Sequence, residues 1–91
     1  PSLATNVDEV LENSMYSYTD ESELYVVFKL REITSADIIM YDLNGRVVLT
    51  ESASISNHQW STQTTGLSAN IYMLTVKTVK GVWRQKVIIK K

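Results

Sequence analysis

The sequence predicts an all-β domain, specifically a seven-stranded immunoglobulin-like β-sandwich. Apolar residues recur at every second position in several short segments. Gly, Asn, Asp and Ser residues separate these segments and place a turn at intervals of about 8–12 residues. Helical spacing never continues for more than about two turns. The 91 residues are enough for one hydrophobic core but not for two.

Each strand has its own signature in the sequence. Leu24, Val26 and Phe28 alternate with neighbours of the opposite face, which is typical of a strand with one buried side. The segment from Ile38 to Tyr41 is apolar on both faces, which indicates a central strand. Trp60 lies in a modest polar segment, which fits the edge of a sheet. The predicted strands are residues 15–18, 23–30, 37–42, 46–50, 56–61, 71–78 and 82–90.

The alternation also predicts which side chains form the core. The expected core residues are Leu24, Val26, Phe28, Leu74, Val76, Val87 and Ile89. Tyr72 and Trp83 share these apolar faces, so we expect them to be buried as well. Tyr16, Tyr18 and Tyr25 point inward less clearly and are candidates for an exposed aromatic patch, on which sugars could stack.

Turn residues define the hairpin in the middle of the chain. Asn44 and Gly45 stand between two apolar runs and predict a β-hairpin turn, because both residues tolerate positive φ. We expect the Asp42 carboxylate to accept hydrogen bonds from the amides of this turn. Asp42 and Gly45 are therefore interpreted as residues that serve folding. A polar loop over residues 62–70 precedes the sixth strand.

The residue composition argues against catalysis. The chain has no cysteine, which excludes disulfides, thiolate metal sites and cysteine nucleophiles. His58 is the only histidine, and we expect it to face solvent in the fifth strand. Asp20, Glu21 and Glu23 crowd one turn but lack the glycine of a calcium loop, so we interpret them as a solvated turn. The sequence therefore predicts no catalytic residue, no metal site, no cofactor and no small-molecule substrate.

Charge is divided unequally along the chain. Residues 1–45 hold nine acidic and two basic side chains, whereas residues 46–91 hold seven basic and one acidic. The two halves could compensate each other as neighbouring strands, or the basic half could form a patch that meets an anionic surface or a receptor. The sequence leaves both interpretations open. The net charge of −1 argues against nucleic acid as a partner.

Three motifs resemble those of a known family. They are the runs 41–48 (YDLNGRVV), 66–72 (GLSANIY) and 85–91 (QKVIIKK). In this order they resemble the C-terminal sorting domain of the type IX (Por) secretion system of Bacteroidetes, over residues 14–91. Asn70 stands where that family usually has glycine, and we expect it to adopt the same left-handed backbone. The motif residues that we expect to be structural are Asp42, Asn44, Gly45, Arg46, Leu67, Asn70 and Tyr72.

The resemblance implies a signal rather than an enzyme. Such a domain directs a passenger protein from the periplasm through the type IX outer-membrane translocon, to the cell surface or the medium. A sortase often cuts in the preceding linker, which corresponds here to a tether over residues 1–13. The expected partners are thus the translocon and its sortase. The residues that we expect the translocon to recognise are Lys86, Val87, Ile88, Ile89, Lys90 and Lys91.

Other functions stay open at this stage. The domain could be retained on a surface-located component of the secretion machinery. It could also be an adhesive, glycan-binding module or a purely structural stalk. Because a sandwich of this kind leaves open sheet edges, strand exchange into a swapped dimer is a further expectation.

Overall fold

Seven strands make up the regular structure of the domain. The computed structural model describes residues 14–20, 22–30 and 32–90. The strands are β1 (Met15–Asp20), β2 (Glu23–Phe28), β3 (Ser35–Tyr41), β4 (Val47–Ser54), β5 (Gln59–Gln63), β6 (Asn70–Thr78) and β7 (Gly81–Ile89). The predictions made for the tether, its cleavage, Glu21 and Lys91 lie outside the described residues. Within those residues, no helix has the length and apolarity that a membrane crossing requires.

The strands form two antiparallel sheets. The three-stranded sheet has the order β1-β2-β5, and the four-stranded sheet has the order β4-β3-β6-β7. The strand that is apolar on both faces, β3, lies between β4 and β6 as its pattern predicts. The polar strand with Trp60, β5, forms an edge. The predicted fold class, a seven-stranded immunoglobulin-like sandwich, is confirmed.

The core lies between the two sheets and is built from alternating positions. The seven residues predicted for it are all buried. Ile38 and Met40 on β3 join them with no exposed surface, and the side chains of Trp60, Tyr72 and Trp83 are buried beside them. In the described part of the chain, every buried polar side-chain atom has a hydrogen-bond partner. A core without orphaned polar groups keeps the full benefit of apolar burial.

The prediction of a strand over residues 56–61 is wrong at its start. Ser56–Gln59 is a tight turn, closed by a hydrogen bond of 3.2 Å from the Gln59 amide to the Ser56 carbonyl. Asn57 and His58 have φ angles of 56° and 61°, the positive values that a two-residue hairpin turn requires at both positions. His58 is exposed, as expected, but it lies in the turn rather than in a strand. Its carbonyl accepts a hydrogen bond of 2.8 Å from the Phe28 amide, which attaches the turn to the end of β2.

Strand β4 is longer than predicted. Its second half (Glu51, Ser52, Ala53 and Ser54) has few apolar residues, so the strand predicted from the sequence ends at Thr50. Pairing with β3 nevertheless continues through Ala53 opposite Ala36. Backbone hydrogen bonding to a neighbour extends a strand beyond the point where side-chain burial would indicate it.

The core assignment can be tested at Phe28, which is only 1% exposed. We expect Phe28→Ala to lower the free energy of unfolding by about 3–5 kcal/mol, because it leaves a cavity and loses apolar burial. The measurement is denaturant unfolding at equilibrium. Val79→Ala is the control: Val79 is 84% exposed, and its truncation should change stability by less than about 0.5 kcal/mol. A Phe28→Ala protein as stable as the control would contradict the assignment.

Candidate recognition site

The three sequence motifs meet at one end of the sandwich. Residues 42–46 connect the end of β3 to the start of β4, and residues 66–70 lead into the start of β6. Pairing of Tyr41 with Met73 places these two segments side by side. Pairing of Asn70 with Ile89 brings the end of β7 to the same place. We call this end, formed by residues 42–46, 66–70 and 88–90, the motif end.

The turn over residues 42–46 differs in detail from the predicted two-residue hairpin. The Gly45 amide donates to the Asp42 carbonyl (3.0 Å), and the Asp42 amide donates to the Arg46 carbonyl (2.9 Å). Three residues, Leu43 to Gly45, therefore form the loop. Gly45 has a φ of 83°, whereas Asn44 does not have a positive φ. Glycine alone supplies the left-handed residue that such a three-residue loop needs.

The Asp42 carboxylate organises this turn. One oxygen, Oδ1, accepts hydrogen bonds from the amides of Asn44 (2.9 Å) and Arg46 (3.0 Å). The other oxygen, Oδ2, accepts from Arg46 Nε at 3.1 Å. The Arg46 amide, the Asn44 amide and the Arg46 guanidinium together hold the pKa of the Asp42 carboxyl below its ordinary value. The acidic and the basic residue of the turn motif thus stabilise the loop between them.

The loop over residues 66–70 is fixed by Tyr72. This residue is 4% exposed, and its hydroxyl donates to the Ser68 carbonyl at 2.7 Å. A tyrosine near the start of a strand that bonds back to the preceding loop is a recurrent feature of immunoglobulin-like sandwiches. Leu67 is partly buried and packs against the core from the same loop. The leucine and the tyrosine of this motif therefore attach the loop to the domain.

Asn70 does not adopt the left-handed backbone expected for it. It has no positive φ and begins β6 as an extended residue. Its side-chain Oδ1 accepts a hydrogen bond of 2.8 Å from the Ile71 amide. The substitution of asparagine for the usual glycine therefore requires no backbone strain here. A cleft of about 430 Å³ separates this loop from the turn over residues 42–46.

Strand β7 presents two different faces. Val87 and Ile89 are 4% and 3% exposed and hold the strand to the core. Lys86, Ile88 and Lys90 are exposed on the opposite face. One edge of β7 pairs with β6, and a crevice of about 110 Å³ along the strand is lined by residues of both β1 and β7. β7 is the last strand of its sheet, so its outward side chains and its second backbone edge are both candidate contact surfaces.

Neighbouring strands do not neutralise the basic residues of β7. Arg84 lies opposite Thr75 and Lys86 lies opposite Met73 on β6. The one ion pair within the described part of the chain joins Arg46 to Asp42. The interpretation that acidic and basic halves of the chain neutralise each other as paired strands is therefore wrong for the basic residues of β7. Its cations are available to a partner.

The tyrosine patch lies on the other sheet. Tyr16 and Tyr18 are 47% and 44% exposed, as predicted. The rings of Tyr18 and Tyr25 stack with centroids 4.8 Å apart, and those of Tyr16 and Tyr18 stack at 6.3 Å. The Lys29 ammonium lies 5.6 Å from the centroid of the Tyr16 ring. The ring faces thus contact one another or a cation, so the patch offers few free ring faces for sugar stacking.

Two sheets of three and four strands around one core define the class of the protein, an immunoglobulin-like β-sandwich. The structure is similar to the crystal structure of a DUF3244 family protein with an immunoglobulin-like β-sandwich fold from Bacteroides vulgatus ATCC 8482. The TM-score is 0.73 at 16% sequence identity, covering 87% of this chain and 88% of that one. At this identity the likeness shows the fold alone.

A sequence model of the secretion system C-terminal sorting domain matches residues 20–90. The chain belongs to this family. Membership makes the domain a signal for type IX secretion, which implies export to the outer membrane, the cell surface or the medium, and interaction with the type IX secretion machinery. No curated protein matches the chain.

The pH dependence of stability tests the role of Asp42. Because its pKa is lowered in the fold, the carboxylate stabilises the domain above the unfolded pKa of about 3.9, and this contribution is lost as the pH falls through the folded-state pKa. We expect Asp42→Asn to lower the thermal midpoint at neutral pH. The difference from wild type should shrink as the solution is acidified. A difference that is the same at neutral and strongly acidic pH would contradict this role.

A substitution at Gly45 distinguishes a folding role of the turn motif from a recognition role. A Cβ at this position would meet no atom within 4 Å, so a substitution tests the φ of 83° alone. We expect Gly45→Val to destabilise the domain by about 1–2 kcal/mol, because a β-branched residue resists this backbone. Gly45→Asn is the matched control and should stay close to wild type in thermal unfolding. Full stability of Gly45→Val combined with lost export would instead make the turn a recognition site.

Proposed function

We propose that the chain is a non-catalytic C-terminal secretion signal that directs a passenger protein through the type IX outer-membrane translocon. Residues 14–91 form the sorting domain in this proposal, and residues 1–13 are the tether to the passenger. The observation that carries it is the exposed row of Lys86, Ile88 and Lys90, which leads to the motif end and whose two lysines form no ion pair with the described residues. A translocon component can contact this row without unfolding the domain.

The roles of the motif residues follow from their positions. Asp42, Gly45, Arg46 and Tyr72 form internal hydrogen bonds of the domain or supply its turn geometry, which supports a folding role. Lys86, Ile88 and Lys90 make no ion pair in the described chain and project outward, which supports a recognition role for them. In this proposal Lys91 is recognised together with these residues. Val87 and Ile89 contribute by fixing the strand to the core.

Transit and processing complete the proposal. The passenger and its domain pass through the periplasm, and the domain folds there. A sortase then cuts within residues 1–13 and releases the passenger to the surface, unless the protein is a component of the machinery that keeps its domain. The stacked tyrosines give the adhesive alternative less support, because their ring faces are already engaged. The presence or absence of residues 14–91 on the surface-delivered passenger distinguishes cleavage from retention.

Removal of the last two residues tests recognition at the terminus. Lys90 is exposed, and the loss of Lys90 and Lys91 should change the stability by less than about 1 kcal/mol, because little apolar area is involved. Export of a fused passenger should nevertheless fall sharply, with the folded fusion accumulating in the periplasm. The measurements are thermal unfolding of the domain and surface labelling of the passenger.

The control is an equal loss of positive charge elsewhere on the domain. Lys29→Ala with Lys80→Ala removes two exposed lysines and leaves the terminus intact. This variant should retain its export, whereas the truncated protein should lose nearly all of it. Normal surface delivery of a stably folded truncated domain would refute recognition at the terminus.

A further inference from the structure

The outward side of the four-stranded sheet forms a continuous surface that extends beyond the three motifs. Antiparallel partners share a face, so the pairing defines rows across the strands. Tyr41 on β3 lies beside Met73 on β6, which lies beside Lys86 on β7. The next row joins Ile39, Thr75 and Arg84. We call this surface, made by the outward side chains of β3, β6 and β7, the outer face.

The outer face has an apolar centre. Met73 is 41% exposed, Ile88 is 51% exposed on the neighbouring strand, and Leu43 at the rim is 68% exposed. Val47 on β4, which lies opposite Tyr41, is 54% exposed at the same end of the sheet. A concentration of exposed apolar side chains on one side of a small soluble domain marks an interaction surface.

A shallow groove crosses this centre. Its volume is about 520 Å³, and it is lined by Tyr41, Leu43, Met73, Thr75, Lys77 and Arg84 among others. Thr75 points outward, yet it is only 3% exposed, since larger side chains surround it. Thr75 therefore forms the floor of the groove, and the more exposed Leu43 and Met73 line its sides.

Positive charge surrounds the groove. Lys77, Arg84 and Lys86 are exposed cations on the outer face. Two acids lie close by. Asp37 is opposite Lys77 in the pairing of β3 with β6 and accepts a hydrogen bond of 2.9 Å from the Ser52 hydroxyl. Asp42 lines the groove, and its carboxylate is paired with Arg46. None of the three cations on the outer face forms an ion pair within the described residues. A partner would thus contact an apolar centre that is bordered by cations without ion pairs. Tyrosine, methionine and arginine all occur on this face, and these residue types are enriched in protein interfaces.

We propose that the outer face is the docking surface for an acidic protein surface of the secretion machinery. The partner presents carboxylates to Arg84, Lys86 and Lys77, and it places an apolar side chain in the groove beside Met73. Complementary charge guides the encounter, and the groove supplies the desolvated contact. The inference rests on the proposed function and extends it, because Tyr41, Met73, Lys77 and Arg84 lie outside the terminal residues assigned to recognition.

Charge-introducing variants test the surface in cells. The passenger fusion carries Met73→Glu or Arg84→Glu, each of which places a carboxylate where the partner's carboxylates would lie. We expect surface delivery to fall about tenfold or more, with an unchanged thermal midpoint of the domain. Val79→Glu and Lys80→Glu are the matched controls, because both residues are exposed in the turn before β7, at the opposite end of the sheet. Both controls should be delivered at nearly the wild-type level.

Zero-length crosslinking identifies the chemistry of the partner. A carbodiimide joins a lysine amine directly to a carboxylate in contact with it, so Lys77 and Lys86 should crosslink to Asp or Glu residues of a machinery protein during export. Mass spectrometry locates both ends of each crosslink. Lys77→Arg with Lys86→Arg keeps the charge but cannot form the bond, so this variant should retain delivery and lose the crosslinks.

Several outcomes would overturn the inference while leaving the proposed function intact. One is normal delivery of folded Met73→Glu and Arg84→Glu fusions alongside a delivered wild-type fusion. Another is crosslinking only to carboxylates of a second copy of this chain, or no crosslink at all from these lysines. A third is binding of the purified domain to phosphatidylcholine–phosphatidylglycerol vesicles that Met73→Glu abolishes, which would assign the face to a membrane. Failure of the wild-type fusion to reach the surface would instead refute the proposed function itself.

Discussion

The pairing of β6 with β3 on one side and with β7 on the other is the constraint on which the arrangement depends. Because β6 starts where β3 and β7 end, two connecting segments and the end of the last strand meet at one end of the sandwich. The same register also aligns Tyr41, Met73 and Lys86 in a row across three strands. Burial of the opposite side, with Leu74 and Val76 fully covered, fixes this register, since a shift by one residue would exchange the buried and exposed faces.

The motif residues that are bonded within the fold and those that face outward have different roles. Tyr72 and the Asp42–Arg46 pair satisfy hydrogen bonds within the turn and loop that they occupy, so their chemistry is already used inside the fold. The cations of β7 have no such partner in the described chain. Both groups of residues matter in this proposal, because the outward side chains of β7 keep a defined arrangement only when a rigid sheet holds the strand.

Much of the fold could be predicted from the sequence because period-two alternation directly reports burial. Leu24, Val26 and Phe28 identified one sheet, and Ile38 and Met40 identified the central strand of the other. The turn at Asn57 and His58 was missed because it contains no glycine, the usual signal for a turn with positive φ angles. Asn70 differs from the expectation because it begins β6 as an extended residue and its side chain bonds the Ile71 amide. The convergence of the three motifs and the rows of the outer face depend on strand pairing over long sequence separations, which local patterns do not encode.

We propose that the machinery contacts the surface of the folded domain, and a disulfide within the fold tests this most directly. Glu23 and Gln63 pair across β2 and β5, on the sheet that carries neither the outer face nor the terminus, and antiparallel partners are close enough for a disulfide. Surface delivery is measured for a passenger fused to Glu23→Cys/Gln63→Cys, with each single variant as control. We expect the double variant, with its disulfide intact, to be delivered to the surface as well as the single variants are. Retention of the locked, folded domain in the periplasm, while the single variants reach the surface, would contradict it.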